Sequence, residues 1–345
     1  MAAFTAKDIQ TLRQMTGAGM MDCKGALTET DGDVEKAVLI LREKGLAAVA
    51  KKAGRIAAEG MVFATVAENG AAGLIEVNSE TDFVAKNEDF QKFVKDLVQV
   101  VINEAPADVD ALFKCKYPGS EFTVEETLRE KVLVIGENLK IRRFARFAEP
   151  FNVSYVHMGG KIGVLTHMEV DASIIENPAV RELAYDVCMQ AAAMRPICLS
   201  RSELDEETLN TERSVYLAQA KAEGKPDAVA EKMVAGRLNK YYSEVCLLDQ
   251  AFFKDESVTI QKLIEQKAKE LGGSIKLTAF YRYEKGEGLA KREDNFADEV
   301  ANMVKSEGAA PSARCVRYFT GFPQNRSISI RRPPAPPAPN YLYAP

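Results

Sequence analysis

Apolar positions in the first fifty residues recur with a helical period. Thr5 and Asp8 form a reciprocal start pair, Ile9, Leu12 and Met15 then share one face, and Gly17-Ala18-Gly19 ends the run. A second helix is predicted from about Met21 to Thr30, stopping at Asp31-Gly32. Asp33 caps a third, in which Val34, Ala37, Val38 and Leu41 follow the i, i+3, i+4, i+7 spacing, and Gly45 is expected to terminate it. Three short helices of this kind make a small recognition bundle. The Ala- and Lys-rich stretch from Leu46 to Gly60 has little periodicity beyond alanine and reads as a connector, helical in part.

From Met61 the period changes to that of strands. Val62, Ala64 and Val66, a turn near Asn69-Gly70 and a return from Leu74 to Asn78 predict a hairpin. Thr81-Asp82-Phe83-Val84 follows, then a helix whose face is Phe90, Phe93, Val94, Leu97 and Val101. The same order returns ninety residues on: Gly73-Leu74-Ile75 corresponds to Gly163-Val164-Leu165, and Phe90, Phe93, Val94 and Leu97 to Val180, Leu183, Ala184 and Val187. An internal duplication is therefore expected, giving two α+β units whose half-covered sheets bury themselves by layering. At that offset Asp82 and Phe83 correspond to Ala172 and Ser173, so the repeated unit does not need the aromatic residue to fold. Between the units, Glu125 to Glu137 reads as helix, and Leu139, Ile141 and Arg143 begin an alternating strand.

Residues 203–243 are charged and helical, with thin apolar content (Leu209, Tyr216, Met233) and a break at Gly224-Lys225-Pro226-Asp227, where glycine ends one helix and Asp227 is expected to cap the next. Such a stripe cannot be buried on several sides, so an antiparallel helical hairpin standing away from the core is predicted. Ile275, Leu277, Ala279, Tyr281 and Tyr283 return to the sheet, and a last amphipathic helix is expected around Phe296, Val300 and Met303-Val304. From Ser306 the composition turns to Arg, Pro and Ser, which supplies no core and predicts disorder.

The 345 residues carry a net charge of -5, and the last forty hold five arginines against one acid, so residues 1–305 are more acidic still. That balance argues against direct nucleic-acid binding. Lys7, Asp8 and Arg13 interrupt any amino-terminal apolar run and no later stretch is long enough to span a bilayer, so a cytoplasmic protein without a membrane partner is expected. Six scattered cysteines form no Cys-x-x-Cys pair and read as reduced structural thiols, with no metal site. The two histidines, His157 and His167, sit in no triad or metal motif. Gly159-Gly160-Lys161-Ile162-Gly163 lacks the Gly-Lys-Ser/Thr ending of a phosphate loop. Neither catalytic residues nor a cofactor are expected.

Five ordered motifs carry a family resemblance: LRQMTGAGMMDCKGAL from Leu12, VNSETDFVAKNEDF from Val77, YVHMGGKIGVL from Tyr155, AAMRP from Ala192 and GKPDAVAEKMVAGRL from Gly224. Over roughly residues 4–305 the chain resembles elongation factor Ts. The resemblance implies an α+β protein with a UBA-like three-helix bundle (1–54), a first core subdomain (55–148), a second (149–202 and 244–285) holding the inserted hairpin (203–243), a carboxy-terminal helical module (286–305) and a disordered tail (306–345). It implies exchange of guanine nucleotide on the GTPase elongation factor Tu, and no enzyme activity. Asp82 and Phe83, flanked by Thr81 and Val84, would contact the GTPase switch region with Phe83 inserted between its side chains. Met20, Met21, Lys24, Ile135, Gly136, His157 and Met303 would lie on the same partner surface. Where the family commonly shows Val-Met, this chain has Phe253-Lys254, and the Pro-rich tail has no counterpart in the family pattern. The hairpin's alternative roles are a solvated arm, a homodimer contact or a partner contact. A binding module without effect on nucleotide is the competing reading, with an enzyme built on His157 behind it.

Overall fold

Capping side chains set where the first helices begin in the computed structural model, which describes residues 4–16 and 18–290. The backbone N–H of Thr5 donates to Asp8 at 2.7 Å, and α1 runs Ala6–Thr16; α2 is Met20–Glu29. Asp33 accepts from the Lys36 N–H and opens α3, Val34–Lys52. Leu12, Cys23, Ala26, Leu27, Ala37 and Leu41 close the small core of this bundle.

The expected stop at Gly45 is overridden, and α3 continues seven residues into the segment read as a connector. Packing supplies the reason. Gly45 is buried against Arg129, where a Cβ would lie 3.6 Å from the carbonyl oxygen, and the following alanines favour helix. Lys52 Nζ then donates to the Val132 carbonyl at 3.1 Å, while Arg42 stands 4.5 Å over the Phe122 ring. The long helix thus ties the bundle to the core.

That core repeats one order of elements. The first copy holds β1 (Glu59–Val66), β2 (Ala72–Ser79), α4 (Asp82–Ala85), α5 (Glu88–Glu104), α6 (Val109–Lys114), α7 (Val124–Ile135) and β3 (Lys140–Phe147). The second holds β4 (Asn152–His157), β5 (Ile162–Val170) and α8 (Pro178–Met194). It then carries α9 (Glu206–Ala222) and α10 (Asp227–Val245), followed by β6 (Ala251–Phe252), β7 (Asp255–Thr259), α11 (Ile260–Leu271) and β8 (Ile275–Glu284). α5 and α8 keep the offset of 90 down to their caps, Asn87 with Asn177 at the start and left-handed Ala105 with Arg195 at the end. The correspondence resumes at an offset of 136: Thr123 and Thr259 cap α7 and α11, and left-handed Gly136 and Gly272 close them. The second copy is longer by about 46 residues, and the helical hairpin occupies that gap.

Each copy forms a three-stranded antiparallel sheet, ordered β1-β2-β3 and β4-β5-β8. One face of the first sheet lies under α5 and α7, with Phe90, Phe93, Leu97 and Val132 buried; one face of the second lies under α8 and α11. The remaining faces meet through Val62, Leu74, Phe147 and Leu165. Both middle strands are consequently covered on both sides, which is why β2 is buried along its whole length.

The glycines of the Gly159-Gly160-Lys161-Ile162-Gly163 run serve this contact. Gly160 accepts from the Val62 N–H at 2.8 Å, and a Cβ there would stand 2.5 Å from Met61; one at Gly163 would meet Val62 at 2.5 Å. Glu76, fully buried in β2, joins the copies from the other direction. It accepts from Arg142 at 3.0 Å, Arg143 at 2.7 Å and the N–H of Gly286 at 2.9 Å, the last beyond the end of β8.

In the hairpin the buried residues are Ala220, Ala230, Val234 and Leu238, while Leu209, Tyr216 and Met233 are half-buried at the seam's edges. Asp227 does not cap α10: Pro226 holds the cap position, Asp227 is the first helical residue, and its carboxylate faces Lys221 at 3.5 Å. A proline's fixed φ suits that entry, and an acid in the first turn is favourable to the helix dipole. Among the described residues no helix is long and apolar enough to cross a membrane, and no cluster suits a metal ion. The expected tail and most of the carboxy-terminal module, Met303 included, lie outside the described residues.

Candidate functional site

α4 begins where β2 leaves the sheet. Thr81 takes the cap position, Asp82 lies in the first turn, and only Val84 turns inward, 8% exposed, into the core beneath α5. Phe83 points the other way and is 77% exposed. A buried Val84 next to a bare Phe83 means the short helix is anchored by one residue and presents its neighbour.

Lys86, one turn on, bonds Asp82 at 2.6 Å and stands 5.7 Å from the Phe83 ring centroid. That hydrogen bond, with the ammonium charge, holds the Asp82 carboxyl below its ordinary value. At neutral pH the tip is therefore an ionised carboxylate beside an exposed ring.

The end of α7 forms the other wall. Phe83, Val84 and Asn87 together with Lys131, Val134 and Ile135 line a groove of about 320 Å³. Val134 is half exposed there, and Ile135 is partly buried against the first core, so it both packs and faces the groove. Gly136, exposed and left-handed with φ +84°, ends the helix at this wall.

The structure does not bring the remaining candidates into this groove. Met20 and Met21 are 58% and 75% exposed at the start of α2, with exposed Lys24 one turn further, all on the amino-terminal bundle. His157 ends β4, and its Nδ1 lies 2.7 Å from the Tyr155 hydroxyl, at the turn where Met158 is exposed. No carboxylate bonds either histidine among the described residues; His167 Nδ1 faces the Phe151 carbonyl and Asn152. Phe253 is partly exposed, with Lys254 bonded to Asp186 at 2.7 Å.

Two groups that sequence reasoning passed over hold the tip. Glu137 accepts from the N–H groups of Glu80 and Thr81, each at 3.0 Å, and from the Thr81 hydroxyl at 2.6 Å. Glu80 returns the bond, accepting from the Asn138 N–H at 2.6 Å and from Arg55 at 3.3 Å. The repeat is the signal that would have found them, because the second copy has Val170 in place of Glu80 at the offset of 90 and Gly273 in place of Glu137 at the offset of 136.

The cysteines at 198 and 246, far apart in sequence, meet as free thiols with sulfurs 3.5 Å apart, Cys198 donating to Cys246, at the two feet of the hairpin. Burial raises both thiols, Cys246 to about 12, which fits inert structural groups.

A helical bundle joined to two facing sheets, with a bare aromatic tip beside a small groove, defines an α+β protein. Comparison with known proteins gives the family. The family model described as Elongation factor TS matches residues 80–287. Elongation factor Ts of Clostridium botulinum (strain Eklund 17B / Type B) is 50% identical over 303 residues, covering 87% of this chain and 99% of that protein. The Clostridium perfringens (strain SM101 / Type A) protein of the same name is 52% identical over 302 residues, 87% of this chain and 98% of its own. That of Clostridium novyi (strain NT) is 49% identical over 307 residues, 88% and 99%. The chain belongs to the elongation factor Ts family.

Proposed function

We propose that the chain is a guanine-nucleotide exchange factor of translation elongation, acting in the cytosol on elongation factor Tu. The observation that carries the reading is Phe83: a large apolar ring 77% exposed on a short, well-anchored helix, beside an ionised carboxylate. An exposed aromatic of this kind is a typical anchor for a partner's pocket.

GDP in such a GTPase is held by loop amides, a lysine and a magnesium ion, so its escape is slow until those groups move. No bond need be made or broken to speed it, and the chain acts without chemistry of its own. Inserting Phe83 near the switch region, with Asp82 at its side, favours a GTPase conformation in which the magnesium and phosphate ligands are misplaced. Linkage then requires GDP and the factor to weaken each other by one common factor. GTP from the cellular pool refills the site and expels the factor. Ile135 and Gly136 at the groove, Met20, Met21 and Lys24 on the bundle, and His157 at the second sheet complete the contact surface, with Met303 on the carboxy-terminal segment.

The test is release of a fluorescent GDP analogue from elongation factor Tu in stopped flow. Substoichiometric amounts of the chain should discharge the whole GTPase pool in the presence of excess GTP. Tight binding with no change in release rate would establish a binding module instead.

A further inference from the structure

An inserted side chain displaces a partner's groups only if its own base does not yield. α4 is a single turn and cannot supply that stiffness alone. We propose that Glu137 is a positioning residue for nucleotide release: its carboxylate fastens the backbone entering α4 to the end of α7, and so fixes the direction in which Asp82 and Phe83 project. This inference rests on the reading of Phe83 given above.

Three bonds converge on the one carboxylate, from the N–H groups of Glu80 and Thr81 and from the Thr81 hydroxyl, the residues immediately before Asp82. Glu80 answers by accepting from the N–H of Asn138, next to Glu137. The two segments therefore exchange carboxylates, each capping the other's backbone. Arg55 braces the pair from the end of α3: its guanidinium reaches Glu80, and its carbonyl accepts from the Asn138 side chain at 2.9 Å. Ser79 donates to the Thr81 carbonyl at 2.9 Å and closes the turn from the strand side.

The second copy of the unit shows which parts of this junction the fold requires. Gly272 repeats the left-handed cap of Gly136, so that feature belongs to the fold. The carboxylates do not repeat. Val170 and Asp171 stand where Glu80 and Thr81 are, and Gly273 and Ser274 where Glu137 and Asn138 are. There one backbone bond, Asp171 N–H to the Ser274 carbonyl at 2.9 Å, joins the segments. A Cβ on Gly273 would lie 2.8 Å from Ile174, so the space taken by the Glu137 side chain is filled by a neighbour. The Asp171 carboxylate bonds Ser173 in its own segment, so a junction with no carboxylate bond across it folds, and the copy that has such bonds is the copy that carries the exposed aromatic tip. Their role is to hold the tip, an instance of a functional side chain made rigid by the residues behind it.

The experiment uses the full chain with elongation factor Tu carrying a fluorescent GDP analogue. Glu137→Ala removes all three bonds and should slow the maximal release rate about tenfold. Glu137→Gln can still accept both N–H bonds through its oxygen and donate to the Thr81 hydroxyl, so it should stay within about twofold of the parent chain. In the Phe83→Ala background, Glu137→Ala should add less than about twofold, since both act through one tip. Hydrogen exchange at the Glu80 and Thr81 amides should quicken in Glu137→Ala and not in Glu137→Gln. Thr81→Val, which deletes only the hydroxyl bond, should slow release by a smaller factor and stands in if Glu137→Ala misfolds. Parent-like release by Glu137→Ala or, in its place, by Thr81→Val, with Phe83→Ala slow, overturns the role of Glu137 alone. So does a full additional loss in the double variant, which would mark an independent structural effect. Parent-like release by Phe83→Ala overturns the reading of the tip, and the role of Glu137 falls with it.

Discussion

The ammonium of Lys86 stands 5.7 Å from the ring centroid of Phe83 while bonding Asp82 at 2.6 Å, so one cation touches both residues of the exposed tip. The ring itself has little cover from its own protein. Phe83→Ala should therefore leave the unfolding free energy within about 0.5 kcal/mol of the parent chain, as for exposed positions generally. Nucleotide release promoted by the variant should fall at least about tenfold, on the scale of an aromatic anchor lost from an interface. Stopped-flow release and a urea titration on one preparation check both halves, and a large loss of stability would mean the ring belongs to the core.

Glu76 is the most heavily used carboxylate of the core: it is fully buried and bonded by Arg142, Arg143, Asn78 and the Gly286 N–H. Replacing it with glutamine takes the counter-charge from Arg142 and leaves Arg143 with Glu287 alone. Breaking a buried pair from one side costs about 3 kcal/mol or more. Glu76→Gln should lower the urea midpoint accordingly with an unchanged slope. A loss below about 1 kcal/mol would show that the arginines find solvent at no cost.

Gly286 and Gly288 offer a matched comparison, since both are left-handed, with φ +68° and +71°. Only at Gly286 would a Cβ strike backbone, 2.1 Å from the Ala58 carbonyl; at Gly288 the nearest atom is 4.0 Å away. Gly288→Ala should cost about 1 kcal/mol for the backbone conformation alone. Gly286→Ala should cost at least about 2 kcal/mol more, because strand end and connector must part. Equal losses in thermal unfolding would refute the close approach.

Burial lifts the Glu130 carboxyl from 4.5 to about 7, with Arg42 opposing the rise, Glu126 adding to it and Lys131 opposing it. A carboxyl raised in the folded state binds protons more readily there than in the unfolded chain. Its favourable contribution is complete below about 4.5 and is lost as pH climbs towards 7. Glu130→Gln should therefore gain stability relative to the parent chain between pH 5 and pH 8, by about 1 kcal/mol once partial solvent screening is allowed for. Urea titrations at the two pH values decide it, and a gain that does not change with pH would exclude the titration.

Local periodicity made most of the elements legible in the chain, because the middle helices bury one face each and repeat at a fixed spacing. Phe90, Phe93, Val94 and Leu97 announce α5, and their counterparts announce α8. Gly45 misled because a glycine inside a helix reads as a stop, whereas contact with Arg129 decides the matter from across the fold. Asp227 misled because the proline before it already sets the backbone for helix entry. Phe83 stood out through the repeat, whose second copy does without it. Glu80 and Glu137 did not, since a charged residue in a loop looks solvated and their bonds span more than fifty positions. The same distance hid the meeting of Cys198 with Cys246.

The hairpin leaves and rejoins the second copy between segments that run side by side, Ile197 N–H bonding the Val245 carbonyl at 2.8 Å and Leu247 N–H the Cys198 carbonyl at 3.0 Å. An appendage whose two ends share one socket imposes no span on its host. Its arm can be shortened, extended or exchanged for another by splicing at that point, and descendants of one ancestor are free to differ in reach while keeping the same body.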